Sequence, residues 1–234
     1  LFMILTFTIL ADTSSKQEIK VAVFPFEPMI YQDEKGKPAG FFYDIIEYIA
    51  KKEGLKTEYV FGTWAEGLER IKTGEVTLLT SVAYTEERSK FMNYPETSSF
   101  TVWSQVFAKS GLNISNILEL EGKTVGLMKN DFNGAAFIEL IKKFNIKCNI
   151  VYFDTFLDVY KALDAKKIDA GVSAVTNSYA MEKHYHFEKT SIIFNPFNLY
   201  FTVKKNNNSE ILEIFDKNLK QLKANKNSYY YERL

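Results

Sequence analysis

The residues best able to do chemistry lie in Val76 to Arg88, VTLLTSVAYTEER. Val76, Leu78 and Leu79 form a short apolar run suited to a strand covered on both faces, and Ser81, Val82 and Ala83 end it with small side chains that leave room for a ligand. Thr85 is a good helix N-cap. The free backbone N–H groups of the next turn then point outward with the positive end of the helix dipole behind them, and Arg88 adds a full charge to that turn. The arrangement suits an anion. It equally suits a capped surface helix whose Arg88 is solvated beside Glu86 and Glu87, and this segment alone does not choose between the two.

Other reactive side chains are few. Only Asp131 and Glu27 stand as candidate acids or bases, with no Ser-His-Asp order and no metal cluster in view, so an enzyme is not the favoured class. His184 and His186 form an H-x-H pair, but without Cys or a carboxylate at ligand spacing they read as an exposed helix end. Cys148 is the sole cysteine, which excludes an internal disulfide and a cysteine-based zinc site and leaves a packing role. Twenty-nine basic against twenty-nine acidic residues give no net charge, so nucleic acid is not an expected partner. No cofactor is implied. With 234 residues, 46% hydrophobic and 15% aromatic, the chain fits one large domain or two small ones.

Elements of alternating type must position these groups. Ile19 to Phe24 alternates like a strand and stops at Pro25-Phe26-Glu27-Pro28. Asp33 to Pro38 is a polar turn, and Gly40 opens a helix with Phe41, Ile45, Tyr48 and Ile49 on one face and Gly54 as its stop. Thr57 to Phe61 is strand-like, and Thr63-Trp64-Ala65-Glu66 is a capping box opening a helix on which Trp64, Leu68 and Ile71 share a face before Gly74. With Val76 to Ala83, this reads β-α-β-α-β, the pattern of a parallel sheet with right-handed crossovers. Thr97 to Lys109 is strand-like, and after a polar connection the pattern restarts. Lys123 to Met128 is a strand, Asn133 caps a helix with Phe137, Ile141 and Phe144 inward, Ile146 to Phe153 is a strand, and Thr155 caps a helix with Val159, Tyr160 and Leu163 inward. Ile168 to Val172 is the third strand, ending in a second small trio, Ser173-Ala174-Val175. Thr190 to Asn195 and Asn198 to Val203 lead back out, and Ser209 caps a last helix with Ile211, Phe215, Leu219 and Leu222 on one face, expected to return to the first lobe.

Two lobes of repeated β-α units, joined by more than one crossing segment, place a cleft where strand ends face each other, the preferred ligand position in open α/β sheets. The expected division is 17–98 plus 200–234 for the first lobe and 99–199 for the second.

Pro28-Met29-Ile30-Tyr31, Asp33-Glu34-Lys35-Gly36, Gly40-Phe41-Phe42-Tyr43-Asp44, Trp64 with Leu68, and Thr85-Glu86-Glu87-Arg88 resemble the type 2 periplasmic substrate-binding proteins of the polar amino-acid branch. Leu120 to Gly126 and Ile168-Asp169-Ala170 extend the resemblance into the second lobe. It implies an α/β, two-lobe periplasmic-binding-protein fold with a ligand cleft between the lobes. It also implies that Arg88 clamps a ligand carboxylate in two-pronged fashion, a geometry guanidinium provides and ammonium does not. Phe26 takes the place of an aromatic that stacks on the ligand, and Trp64 lines the pocket or packs as a core aromatic. Tyr31, Ser81, Val82, Ala83 and the loop residues Asn130, Asp131 and Phe132 complete the implied site. Three departures stand out, one of them Ala83, which sits where a hydroxyl is common. Ala174 occupies the place where amino-acid binders put an Asp for the ligand ammonium, and Asn130-Asp131-Phe132-Asn133 replaces a Gly-Thr-Thr type contact, with Asp131 either a cation partner or a helix cap.

The implied ligand is a small anionic or zwitterionic solute such as an amino acid. The short loop from Thr77 to Arg88, the Trp64 helix start and Ala174 resemble the sensor domains of histidine kinases and related signalling receptors. A free binding protein of an amino-acid transporter is the alternative, and a dehydratase-type enzyme on the same scaffold a remote one. Residues 1–16 open with LFMILTFTIL, which is too short to span a bilayer and is read as a truncated signal or anchor segment. The tyrosines of Ala224 to Leu234 suit either a membrane interface or packing on the first lobe. The expected setting is periplasmic or extracytoplasmic, tethered to a membrane through flanking segments, with a homodimer open for a full-length receptor.

Overall fold

The computed structural model describes residues 17–234; the apolar segment 1–16, read as a signal or anchor, lies outside the described residues. β1 (Glu18–Val23) buries Ile19 and Val21 and gives way to a short hairpin of β2 (Tyr31–Gln32) and β3 (Pro38–Ala39). Gly40 turns the chain into α1 (Phe41–Glu53) with φ of 110°, and a Cβ there would lie 2.7 Å from the Met29 carbonyl oxygen, so only glycine fits. α1 buries Phe41, Phe42, Ile45, Ile46 and Ile49. Tyr48, expected among them, is exposed and stacks on Tyr229, because Phe42 and Ile46 pull the centre of the apolar stripe away from it.

β4 (Lys56–Phe61) follows, then α2 (Trp64–Thr73), whose Thr63–Glu66 capping box forms as expected. β5 (Leu78–Ala83) is buried along its whole length and leads into the single turn α3 (Glu86–Ser89) and the short β6 (Met92–Asn93). After β7 (Phe100–Lys109) and a 3-10 turn at Ile117–Leu120, the second series runs β8 (Thr124–Met128), α4 (Phe132–Lys143), β9 (Asn149–Phe153), α5 (Phe156–Asp164), β10 (Ala170–Ala174) and α6 (Val175–Met181). β11 (Phe187–Lys204), α7 (Ser209–Ala224) and α8 (Tyr229–Arg233) complete the chain.

The strands join in the order β4-β1-β5-β11-β7-β10-β8-β9. The two ends of this sheet repeat one plan: the first strand of each series is central, the second lies outside it and the third inside, all parallel (β1, β4, β5 and β8, β9, β10). β7 and β11 run antiparallel between them and carry the chain across. Each end therefore forms one lobe of a two-lobe α/β fold with a cleft between.

Four expectations need correction. The two strands read in Thr190–Val203 are one: Asn195, at φ 50°, and Pro196, which lacks an N–H, shift the register against β7 without ending the ladder. α4 is capped by Asp131, whose side chain accepts from the Gly134 N–H, while Asn133 is buried in the first turn. Phe144 is exposed, since it falls past the last helical residue as the C-cap. Ser209 is the first residue of α7 rather than its cap, which is Asn208 in the left-handed region.

α7 packs Phe215 against Phe201 of β11 and bonds α1 through Asn218 to Lys52 and Glu53. α8 lies beside α1 as well. Tyr230 is buried against Phe41 and donates to the Ser99 carbonyl, and Arg233 pairs with Asp44. Packing thus accounts for Tyr229 and Tyr230. Among the described residues, no helix is long and apolar enough to cross a membrane.

Candidate ligand cleft between the lobes

The site starts at the end of β5. Its ladder with β11 slips between Tyr200 and Thr202, and Ser81 takes a left-handed φ of 60°. This bulge sets the facing of the trio: Ser81 and Ala83 line the cleft, whereas Val82 is wholly buried and is not part of its wall. Tyr84 and Thr85 then separate strand from helix. The Thr85 hydroxyl accepts from the Arg88 N–H at 3.1 Å, and this capped turn brings Arg88 back over the strand end.

Arg88 is only 8% exposed. Its Nη1 donates to the Ala83 carbonyl at 3.1 Å and its Nη2 crosses the cleft to the Asn130 carbonyl at 3.0 Å. The guanidinium also sits 5.3 Å from the centre of the Trp64 ring. Among the described residues, no ion pair includes Arg88. Burial lowers its pKa from the usual arginine value, with Tyr94, Asp131 and Glu87 opposing the shift. The surface-helix reading of Arg88 therefore does not hold.

Trp64 combines its two expected roles. The capping box places it at the first position of α2, where its ring packs 4.8 Å from Phe24 and its Nε1 donates to the Asn130 carbonyl at 3.2 Å. Asn130, at φ 56°, is therefore a latch through its backbone, while its side chain is exposed. Both lobes meet there.

From the second lobe, Asp131 and Phe132 stand at the start of α4 and Ala174 at the end of β10. Asp131 is partly covered as a residue, but its carboxylate faces the wall, accepting from Asn133 Nδ2 at 3.0 Å and from the Gly134 N–H at 3.1 Å. Burial pushes its pKa up from the usual aspartate value, against those hydrogen bonds and the Arg88 charge. It caps α4. The structure thus brings Phe26, Trp64, Ser81, Ala83, Arg88, Asp131, Phe132 and Ala174 to one cavity. Tyr31 does not reach it and instead lies beside Glu27 and His184 on one side and Asp44 and Arg233 on the other.

Sequence reasoning passed over Phe24, Met128, Phe156, Phe197 and Leu199, which also line the cavity. Three of them carry a usable signal: Phe24 precedes Phe26 by two residues, and Phe197 and Leu199 are two apart on β11, the spacing of one strand face. The cavity is about 30 Å³, room for roughly two or three waters. One apolar cluster runs unbroken from Phe24 and Phe26 through Met128 and Phe156, so the lobes are closed on each other. A guest of amino-acid size requires them to part.

The chain matches the model of bacterial extracellular solute-binding proteins, family 3, over residues 19–133, and the NMT1/THI5-like model over residues 97–203. It is 28% identical over 170 residues to the probable amino-acid-binding protein YxeM of Bacillus subtilis (strain 168), a match covering 70% of this chain and 63% of that protein. The chain thus spans less than two thirds of that relative's length. Among solved structures, an ancestral arginine-binding protein bound to glutamine superposes with a TM-score of 0.80 at 25% identity, covering 93% of this chain and 96% of the other. A histidine kinase sensor domain with similarity to periplasmic binding proteins gives 0.77 at 21% identity over 90% and 91%, a likeness of fold alone. The match to family 3 covers just under half of the chain, whereas the likeness of fold to the periplasmic binding proteins covers nearly all of it. The chain has the fold of the periplasmic proteins that bind amino acids.

Proposed function

We propose that this chain is an extracytoplasmic binding domain that closes on a small carboxylate-bearing solute such as an amino acid, with 17–98 plus 200–234 as one jaw and 99–199 as the other. The observation that carries the reading is Arg88. A guanidinium this deeply covered, with carbonyl oxygens as partners and, among the described residues, no carboxylate paired to it, is an uncompensated buried charge, and such charges are costly unless an anion meets them. A ligand carboxylate supplies that anion. It would replace the Asn130 carbonyl on the Arg88 fork and so exchange a direct contact between the lobes for one through the ligand.

Within this reading the domain serves a membrane signalling receptor, tethered by flanking segments and, in the whole receptor, paired as a homodimer; the likeness to a histidine kinase sensor domain supports it. A free binding protein of an amino-acid transporter is the second reading, favoured by the YxeM relationship. An enzymatic role is not proposed, because Asp131 is engaged as a helix cap and Glu27 lies outside the Arg88 cavity. Small-angle scattering on the 234-residue chain, with and without saturating L-arginine, L-glutamine or phenylpyruvate, tests closure. A bound ligand is expected to narrow the distribution of radii to the compact form, and an unchanged profile with calorimetrically proven binding would remove lobe motion from the mechanism. Fractionation of the whole gene product between membrane and soluble phases separates receptor from free binder.

A further inference from the structure

The chemistry of the cavity wall narrows the ligand beyond a carboxylate, an inference that rests on the Arg88 reading above. Six aromatic rings face the space, those of Phe24, Phe26, Trp64, Phe132, Phe156 and Phe197, and Met128, Leu199, Ala83 and Ala174 add further apolar surface. Against one guanidinium, the wall holds one carboxylate, Asp131, and both of its oxygens already accept hydrogen bonds at the turn that starts α4. Three other acceptors are also engaged, while the Ser81 hydroxyl donates to Thr80 Oγ1 at 3.5 Å and offers only an uncharged oxygen. Asn133 Oδ1 accepts from Ser104 Oγ at 2.9 Å, the Ala83 carbonyl from Arg88 and from the Tyr94 hydroxyl, and the Ala174 carbonyl from Ser173 Oγ.

A primary ammonium brings three N–H donors and a full charge, and in a desolvated site each needs an acceptor. The one carboxylate in the wall is already tied through both oxygens to the α4 turn, and among the described residues no second one stands beside it. We infer that this cleft selects a monocarboxylate with an apolar body and no cationic group, its carboxylate on Arg88 and its body among the rings. The Asp131 carboxylate is turned to its own helix turn and the Arg88 fork to two carbonyls, which leaves the Arg88 charge to the ligand. The body of such a ligand replaces contacts of ring on ring across the cleft with contacts of ring on ligand, so closure needs no new polar partner.

Calorimetry on the 234-residue chain with matched pairs tests this: phenylpyruvate against L-phenylalanine, and 4-methyl-2-oxopentanoate against L-leucine. Each pair shares a carboxylate and a body and differs in the ammonium. The oxo acid of each pair is expected to bind at least ten-fold more tightly than its amino acid. An amino acid that binds as tightly as its oxo acid, or more so, in either pair overturns the inference, and so does glycine betaine outbinding both oxo acids, which would make the rings a cage for a cation. If L-arginine or L-glutamine binds and neither oxo acid does, the ligand class is wrong while the carboxylate reading stands. If an oxo acid binds Arg88→Ala as well as the unchanged chain, with the variant's circular dichroism unaltered, the carboxylate reading itself falls and this inference with it.

Discussion

The two inner strands, β5 and β10, are built alike and finish differently. Each is buried along its length, runs parallel to the central strand of its lobe, pairs antiparallel with a crossing strand, and ends in small residues at the cleft. After β5, two residues intervene before the helix, enough for the Thr85 cap to return Arg88 to the strand end. After β10 the helix starts at once, with Ala174 as an N-cap that makes no side-chain bond. The second strand end therefore contributes an apolar wall and no charge, and just beyond it Thr176 Oγ1 and Asn177 Nδ2 are buried without partners. A repeated scaffold fixes where two strand ends meet; the few residues after each strand decide what they can hold.

The sharpest break of this asymmetry is Arg88→Ala. Hydrogen bonds to a charged group contribute about 1.5–3 kcal/mol each, so losing a two-pronged clamp is expected to weaken carboxylate binding by roughly 100-fold or more. The fold should persist, since among the described residues the Arg88 guanidinium bonds to carbonyls that water can serve once it is gone, and the backbone bond to Thr85 is kept. Arg88→Lys should be impaired as well, because an ammonium cannot form the fork. Equal affinities by calorimetry would return Arg88 to a structural role, and a variant that melts before binding is measured would do the same.

The converse change places a charge on the other strand end. Ala174→Asp puts a carboxylate on the cavity wall facing Arg88's lobe, and is expected to shift the preference from phenylpyruvate toward L-phenylalanine by about ten-fold, the scale of one charge-assisted hydrogen bond. It should also lower the melting temperature of the unliganded chain, because a buried carboxylate without a partner is costly. An unaltered ratio of the two affinities would show that position 174 does not face the ligand.

What could be read from the chain divides along the same line. Local signals were enough for the Thr63 and Thr85 caps, the glycine start and stop of α1, and the repeat of β-α units that makes two lobes. Arg88 was visible as an anion candidate, but its burial was not, because that depends on Asn130 arriving from the other lobe through backbone alone. The same holds for Phe156 and Phe197, which reach the cavity by lobe closure and by the bulged course of β11. Tyr31 fitted a family pattern yet sits on a hairpin turned away from the cleft. Residues whose role is set within a few positions were legible; those set by closure of two distant surfaces were not.

The smallest expected effect concerns the acid that the second lobe does possess. Burial raises the folded-state pKa of Asp131 above its ordinary value of 3.8, so the ionised form is disfavoured in the fold. For a carboxyl shifted this way, its contribution to stability is fully present below the unfolded pKa and is lost as pH rises through the folded pKa, the reverse of a salt-bridged aspartate. Asp131→Asn keeps an effective helix cap, since Asn and Asp rank together at that position, but removes the titration. The melting temperature of the variant relative to the unchanged chain is therefore expected to be higher at pH 7 than at pH 3.5. Hydrogen bonds from Asn133 and Gly134 and the nearby Arg88 charge offset much of the desolvation, which keeps the effect modest. A difference that is the same at both pH values would mean that Asp131 stays charged at no cost. It would then be available to hold a ligand ammonium, and the asymmetry between the two strand ends would be made good by the loop beside them.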